Sequence, residues 1–209
     1  STTPGDFDLP LSSFPGGAYP NMFLHLTAAE NPEMKAIARV FPDQTLAEIN
    51  LSIDSVYGIQ SRNIEQRMAL ELLMDPTVSI VTLVGQAGTG KTLLAIAAGL
   101  HLVQREHLYD RILVSRPIVP LGKDIGYLPG DKEEKLSHWM EPIFDNLDYI
   151  LRKHQPDQPP AGAKKQPKAL SPQDRIDQLL DSGTLELEAL TYIRGRSISK
   201  QFIIIDEAQ

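Results

Sequence analysis

The spacing of hydrophobic residues changes near residue 57, and the two parts of the chain predict different structures. In the first part, short apolar runs such as NMFLHLTA lie between stretches that contain glycine and proline, a pattern typical of strands joined by turns. The run AIARVFPDQTLAEINL indicates two further strands, separated by the turn signal PDQ. Residues 1–57 are therefore predicted to form a small β-rich module.

From residue 58 onward, continuous apolar runs alternate with segments of helical spacing. Continuous apolar runs are typical of parallel strands that are buried on both faces. The main predicted elements are strands at 78–85, 111–117 and 201–205 and helices at 64–75, 91–104 and 133–153. This alternation favours an α/β fold in which helices flank a parallel sheet.

Local signals mark the ends of several helices and a flexible insertion in the domain 58–209. Asn63 is positioned to cap the helix that follows it. Ser171 begins a second helix in the same way, and Gly183 is expected to end it. Residues from about 153 to 171 are rich in proline and poor in large apolar side chains, which predicts a flexible insertion.

Composition restricts the class of protein without identifying it. The 209 residues are 42% hydrophobic and 22% charged, which is ordinary for a globular protein, and no apolar run is long enough to cross a membrane. The absence of cysteine excludes disulfides and thiolate metal sites. We therefore expect a cytoplasmic protein without membrane partners. The net charge of −7 argues against a uniformly basic nucleic-acid-binding surface, although a local basic patch remains compatible with it.

The run GQAGTGKT matches the phosphate-binding motif G-x-x-x-x-G-K-[ST] and lies between a predicted strand and a predicted helix. Glycines in such a loop let successive backbone N–H groups face one anion, and the helix directs its N-terminus at the same phosphates. The predicted cofactor-binding residues are Gly85, Gln86, Ala87, Gly88, Thr89, Gly90, Lys91 and Thr92. Lys91 is also assigned a catalytic role as the charge on the β- and γ-phosphates, and Thr92 offers its hydroxyl to Mg²⁺.

Two adjacent carboxylates, Asp206 and Glu207, follow the apolar run QFIII. At the end of a buried strand, Asp206 is predicted to share Mg²⁺ with Thr92, and Glu207 to act as the catalytic base that polarises water. Both carboxylates could instead be solvated loop residues, but the intact P-loop and the apolar lead-in favour the catalytic assignment. The additional strand at 111–117, between the two motifs, favours a RecA-like ATPase over a nucleotide kinase.

Gln66 stands 19 residues before Gly85, and its side chain could recognise adenine. An amide can accept a hydrogen bond from the exocyclic amine and donate one to a ring nitrogen, which would select ATP. The same residue lies three positions after Asn63 and could close a capping box instead. Both interpretations stay open on spacing alone.

These motifs resemble those of the PhoH-like ATPases over nearly all of residues 57–209. The block GKDIGYLPGDKEEK carries the resemblance more specifically than the P-loop, and YIRGRSISKQFIIIDEAQ extends it. The resemblance implies a RecA-like P-loop NTPase core close to superfamily 1 helicases, with Mg²⁺-dependent ATP hydrolysis coupled to RNA unwinding or remodelling. It also implies that Gln66 binds adenine, as the upstream glutamine does in such helicases.

Residues 1–57 resemble the segment that follows an N-terminal PIN nuclease domain in PIN–PhoH fusions. This resemblance implies that such a domain precedes residue 1 in the full-length protein.

We also expect a homo-oligomer, with a hexameric ring as one arrangement. Because a RecA-like core needs further strands and a γ-phosphate sensor, we expect it to continue past Gln209, and residues 1–209 alone to bind ATP poorly and hydrolyse it little.

Single-stranded RNA is the expected nucleic-acid partner, and its contacts are predicted near the carboxyl edge of the sheet. Arg116 and Lys123 could bind phosphates, and Tyr127 could stack on a base. Arg194 and Arg196 offer a second positive pair. Each could equally be a solvated side chain, and Arg116 could bind a nucleotide held by another subunit.

Two other functions remain open. The chain could be a nucleotide-gated, ring-forming switch that recruits partners without unwinding a duplex. A P-loop kinase is disfavoured by Glu207 and by the additional strand.

Overall fold

The computed structural model divides into two compact units. The first comprises Ser1–Asp54 with Asn63–Val81, and the second comprises Ser55–Arg62 with Thr82–Gln209. These units do not follow the predicted bounds 1–57 and 58–209, because helix 64–74 clusters with the N-terminal strands. The structure describes residues 17–28, 31, 33, 35–49, 55–117, 132–154, 170–189 and 199–208.

The first unit contains a three-stranded antiparallel sheet, in the order β1-β2-β3. The strands are β1 (Phe23–Thr27), β2 (Lys35–Val40) and β3 (Leu46–Glu48). Their inward-facing apolar side chains form a small core of Leu24, Ala38, Val40 and Leu46. The prediction of a β-rich N-terminal module is confirmed.

The turn between β2 and β3 follows from the signal PDQ. The Asp43 carboxylate accepts hydrogen bonds from the backbone N–H of Thr45 at 3.0 Å and from its hydroxyl at 2.7 Å. Gln44 adopts a positive φ of 66°, and Phe41 and Thr45 close the turn through a backbone hydrogen bond of 2.9 Å. Aspartate stabilises such turns because its side chain satisfies N–H groups two residues ahead.

Helix α1 (Ile64–Met74) belongs to the first unit and begins at the predicted cap. The Asn63 side chain accepts a hydrogen bond from the backbone N–H of Gln66 at 2.8 Å. At the other end, Asp75 lies 2.6 Å from the guanidinium of Arg39, a residue of β2 that is only 2% exposed. This buried ion pair attaches the helix to the sheet.

The second unit contains a parallel sheet in the order β5-β4-β6. Its strands are β4 (Arg111–Arg116), β5 (Leu185–Ala189) and β6 (Gln201–Ile205). Ser115 pairs with Ile205, so the carboxyl ends of β4 and β6 meet at one edge of the sheet. The strands predicted at 111–117 and 201–205 are confirmed as β4 and β6.

Three helices accompany this sheet: α2 (Lys91–Gln104), α3 (Lys132–Lys153) and α4 (Pro172–Asp181). Helix α2 is apolar almost throughout, and it contacts β4 and β6. Helix α4 begins at the predicted capping residue Ser171, which forms a reciprocal capping box with Asp174. Together these elements confirm an α/β fold with a parallel sheet flanked by helices.

One predicted strand is not formed. Residues 78–84 have no strand structure, and Ile80 and Val84 are 84% and 90% exposed. An apolar run specifies a buried strand only where a neighbouring strand supplies hydrogen bonds. In the part of the chain that the structure describes, the sheet ends at β5 and β6 and provides no such neighbour for this run.

Among the described residues, no helix combines the length and the apolar character that crossing a lipid bilayer requires.

Candidate nucleotide-binding site

The P-loop, residues 85–92, turns at two glycines. Gly88 has φ of 78° and Gly90 has φ of 85°, both in the left-handed region that costs other residues backbone strain. Space alone would accept a side chain at Gly88, because nothing lies within 4 Å of a Cβ built there. Backbone conformation is therefore the reason for glycine at this position.

Helix α2 begins directly after the loop. Gly90 is its N-cap and brings no side-chain hydrogen bond to the first turn. The first N–H groups of a helix need partners from outside the helix, and together they favour an anion. The motif, the left-handed glycines and this helix start thus combine into one potential phosphate cradle.

The ammonium group of Lys91 lies over the same loop. Its Nζ donates to the backbone oxygens of Gly85 at 2.8 Å and Gln86 at 2.9 Å. The Thr89 hydroxyl donates to the Gln86 oxygen at 2.8 Å and tightens the turn further. A phosphate oxygen carries more negative charge than a carbonyl oxygen, so it would compete well for this ammonium.

The two sequence motifs meet at Thr92 and Asp206. The Thr92 hydroxyl donates to Oδ1 of Asp206 at 2.7 Å, and Asp206 is held in place by a backbone hydrogen bond from its N–H to the Ser115 oxygen at 2.8 Å. Parallel pairing of β4 with β6 puts the residue after β6 at this edge, next to the start of α2.

These oxygens suit a magnesium ion. No group of three or more His, Cys, Asp or Glu side chains with metal-site geometry occurs in the described parts of the chain. Mg²⁺ usually takes only one or two protein carboxylates and completes its shell with water and substrate phosphates. A hydroxyl and a carboxylate oxygen 2.7 Å apart, beside a phosphate cradle, therefore fit Mg²⁺ bound together with a nucleotide.

Arg116 lies beside both carboxylates of the second motif. Its Nε is 3.2 Å from Oδ2 of Asp206, and one terminal nitrogen is 4.0 Å from Oε1 of Glu207. The other terminal nitrogen donates to the backbone oxygen of Trp139 in α3 at 2.8 Å. Arg116 was predicted to bind RNA, with a nucleotide of another subunit or solvent as alternatives, and its contacts with the two carboxylates were not predicted. A parallel register in which β4 and β6 end at the same edge of the sheet is the signal that could have indicated them.

Asp206 and Glu207 differ in their surroundings. The Asp206 side chain is 13% exposed, whereas that of Glu207 is 56% exposed. Glu207 also has a positive φ of 54°, an uncommon conformation for a residue with a side chain. The exposed fractions show that the Glu207 carboxylate is accessible to water, whereas that of Asp206 is largely buried.

The other predicted contacts stay predictions. Gln66 uses its backbone N–H for the cap of α1, which leaves the adenine assignment of its side chain as a prediction. Lys123, Tyr127, Arg194 and Arg196 lie outside the residues that the structure describes.

An open cavity of about 720 Å³ lies at the opposite end of α2 from the P-loop. Tyr57 and His154 stack there with ring centroids 3.9 Å apart, and Arg175 donates to the backbone oxygen of Leu151 at 2.8 Å. Arg105 reaches His154 at 3.3 Å. These groups bond mainly to one another, so we assign the functional site to the P-loop instead.

The matched family model is described as PhoH-like protein and covers residues 58–209. The chain belongs to the PhoH family. It is 45% identical over 195 residues to Protein PhoH2 of Bacillus subtilis, covering 91% of this chain and 40% of that protein. It is 40% identical over 155 residues to Protein PhoH2 of Mycolicibacterium smegmatis, covering 74% and 31%. A PhoH-like protein of Bacillus subtilis is 34% identical over 126 residues, covering 60% and 33%.

Membership of the family confirms the resemblance found in the sequence and supports nucleotide binding at the P-loop. The chain spans at most 40% of the length of these relatives. A preceding PIN domain and a continuation of the core beyond Gln209 remain predictions.

Proposed function

We propose that this chain forms part of an ATPase that binds ATP with Mg²⁺ and couples its hydrolysis to the unwinding or remodelling of RNA. The observation that carries the ATPase part is the 2.7 Å hydrogen bond between Thr92 and Asp206. It joins the phosphate-binding loop to the carboxylate strand, which are far apart in sequence. Family membership supports the same assignment.

Different groups of the site would bind different parts of the nucleotide–metal complex. Backbone N–H groups of the loop and of the first turn of α2 would hold the phosphates. Lys91 would exchange its two carbonyl partners for phosphate oxygens and neutralise their charge. When bound, Mg²⁺ would supply the positive charge that offsets charge on the β- and γ-phosphates.

Thr92 and Asp206 would position that ion, because their oxygens already lie together. Glu207 would accept a hydrogen bond from the attacking water and orient it, a role that needs an accessible carboxylate. Its 56% exposed side chain meets this requirement. Arg116 lies within ion-pair distance of both carboxylates and enters the site as an additional residue.

The choice of ATP depends on Gln66. An amide can accept from the exocyclic amine of adenine and donate to its N7, whereas guanine presents two acceptors, O6 and N7, on the same edge. The Q66A variant should therefore weaken ATP binding more than GTP binding. Fluorescent analogues of the two nucleotides, titrated against the full-length protein, measure this difference.

RNA is the proposed partner because the relevant loop follows β4 at the carboxyl edge of the sheet, where open α/β folds bind ligands. Lys123, Tyr127, Arg194 and Arg196 are proposed to contact its phosphates and bases. Association into a ring would allow several such loops to act on one strand.

The decisive experiment compares ATP hydrolysis by the full-length protein with and without single-stranded RNA, and then follows strand displacement from a labelled duplex. K91A should abolish nucleotide binding without unfolding the protein. RNA-stimulated hydrolysis with strand displacement supports a helicase. Hydrolysis without displacement favours the nucleotide-gated switch, and wild-type protein that binds no nucleotide refutes the proposal.

A further inference from the structure

The side chain of Arg116 occupies a position between the two motifs of the nucleotide site. Oδ1 of Asp206 accepts a hydrogen bond from Thr92, while Oδ2 of the same carboxylate lies 3.2 Å from the guanidinium. The guanidinium side chain is 14% exposed, and Glu207 lies 4.0 Å from another of its nitrogens. One cation thus compensates two neighbouring carboxylates where a divalent ion is expected.

The contact is close but imperfect. Nε of Arg116 is buried and has no hydrogen-bond partner in the structure as described, although Asp206 lies within ion-pair distance. A buried N–H without a hydrogen bond costs free energy, and movement of the guanidinium would relieve that cost. By contrast, its bond to the Trp139 oxygen at 2.8 Å is well formed and anchors the side chain to α3.

We propose that Arg116 is an exchangeable counterion: it holds Asp206 and Glu207 in the nucleotide-free protein and is displaced when a divalent cation arrives with the nucleotide. The physical reason is that a guanidinium and a divalent cation repel each other at such distances in a partly desolvated site. Arg116 is therefore a positioning residue that competes with the metal. This inference rests on the proposed function.

The competition sets a threshold for metal binding. Divalent ions alone, with no phosphate to add ligands, should displace Arg116 poorly. A bound nucleotide adds phosphate oxygens as further ligands for the metal. Displacement of Arg116 therefore becomes favourable only when metal and nucleotide are both present. Arg116 would in this way prevent the empty site from retaining metal.

Binding of Mn²⁺, used as a spectroscopically visible substitute for Mg²⁺, tests this directly. Electron paramagnetic resonance measures free Mn²⁺ in solutions of the nucleotide-free full chain. We expect R116Q to bind Mn²⁺ about fivefold to tenfold more tightly than wild type, because one nearby positive charge is removed. R111Q is the matched control, since Arg111 begins the same strand and pairs with Glu186 away from the P-loop motifs.

Equal or weaker Mn²⁺ binding by R116Q would overturn the proposal, because Arg116 would then hold the carboxylates in a geometry that helps the metal. R111Q should match wild type, and an equal gain in both variants would show only a general effect of charge. Circular dichroism checks that each variant is folded.

If R116Q does not fold, nuclear magnetic resonance of the wild-type arginine Nε–H groups tests the same exchange. The Arg116 signal, assigned by its absence in R116K, should shift when Mg²⁺ and nucleotide are added together and stay unchanged when either is added alone. A signal that never shifts would contradict displacement. Because the Mn²⁺ assay contains no nucleotide, it can fail while ATP hydrolysis is demonstrated, and the two proposals are separable.

Discussion

The hydroxyl of Thr92 donates a 2.7 Å hydrogen bond to Asp206 across a sequence separation of 114 residues. Thr92 lies in the first turn of α2, and Asp206 follows the last residue of β6. Packing of the helix against the sheet therefore brings together the two oxygens that are proposed to bind the metal. This contact requires both the parallel register of β4 with β6 and the placement of α2 beside these strands.

Replacement of Thr92 tests whether this hydroxyl serves the metal. T92V removes the hydroxyl while keeping the shape, so we expect the Mg²⁺ concentration needed for nucleotide binding to rise about tenfold, a loss of roughly 1.4 kcal/mol. T92S keeps the hydroxyl and should retain binding near the wild-type level. Calorimetric titrations of nucleotide at several Mg²⁺ concentrations give both values, and a T92V protein with unchanged Mg²⁺ dependence would exclude Thr92 from the metal site.

A side chain at Gly88 would meet no steric clash, but the positive φ of this residue would strain any residue other than glycine. Its φ of 78° and the open space around it predict that G88A costs about 1–2 kcal/mol of stability through backbone strain alone. G183A is a matched control, because Gly183 has φ of 67°, equally open space and a position after α4, outside the P-loop.

Both variants should lose similar free energy of unfolding in urea, but only G88A should weaken nucleotide binding, since strain at Gly88 would redirect the N–H groups of the loop. An equal loss of nucleotide affinity in G183A would attribute the effect to general destabilisation.

Hydrophobic patterning predicted β4 and β6, but burial follows the apolar run only in β4, because Ile203 and Ile205 of β6 are 41% and 48% exposed. Ile112, Leu113 and Val114 of β4 are at most 2% exposed, as a continuous apolar run predicts for a central parallel strand. Local capping was equally predictable at Asn63 and Ser171, since a cap depends on neighbours within three residues.

Features that depend on a distant partner were harder to predict. The run 78–84 has the composition of a buried strand, but composition does not specify which strand would pair with it. Arg116 was assigned from its charge and its position at the end of β4, whereas its contact with Asp206 follows from strand register. The motifs therefore indicated that Thr92 and Asp206 lie together, whereas the contact of Arg116 with Asp206 was not predicted.

Gly99 illustrates such a distant constraint. An alanine Cβ at this position in α2 would lie 2.9 Å from Cδ1 and 3.2 Å from Cε1 of Phe202 in β6. Overpacking of this kind costs about 1–3 kcal/mol, against the gain of about 1 kcal/mol that alanine brings to a helix. We expect G99A to lower the free energy of unfolding, measured in urea.

The double variant G99A/F202L checks the cause, because the smaller leucine leaves room for the new methyl group. It should lose less stability than the sum of the two single variants. Strict additivity would show that Gly99 and Phe202 do not constrain each other.

Glu71 in α1 and Asp75, which caps its C-terminus, should respond to pH in opposite directions. Burial raises the pKa of Asp75, but hydrogen bonds from Thr77 and Arg39 outweigh burial and hold that pKa below its ordinary value. Burial raises the pKa of Glu71, and the attraction of Arg39 only partly offsets it. Both carboxylates lie near the same buried guanidinium, at 2.6 Å for Asp75 and 3.8 Å for Glu71.

A lowered carboxyl pKa stabilises the folded state above the ordinary aspartate value of about 3.9, and this contribution is lost as pH falls through the folded pKa. D75N should therefore cost about 1–3 kcal/mol at neutral pH, because it also removes a charged hydrogen-bond partner from Arg39. The difference from wild type should shrink in strongly acidic solution.

The raised pKa of Glu71 has the opposite sign: its unfavourable effect is absent below the ordinary glutamate value of about 4.3 and develops as pH rises through the folded pKa. E71Q is thus the matched control, and it should be at least as stable as wild type at neutral pH. Urea unfolding of the full chain at a series of pH values measures both differences. Parallel pH profiles for D75N and E71Q would show that the two carboxylates are equivalent and would contradict the assignment of Asp75 as the main partner of Arg39.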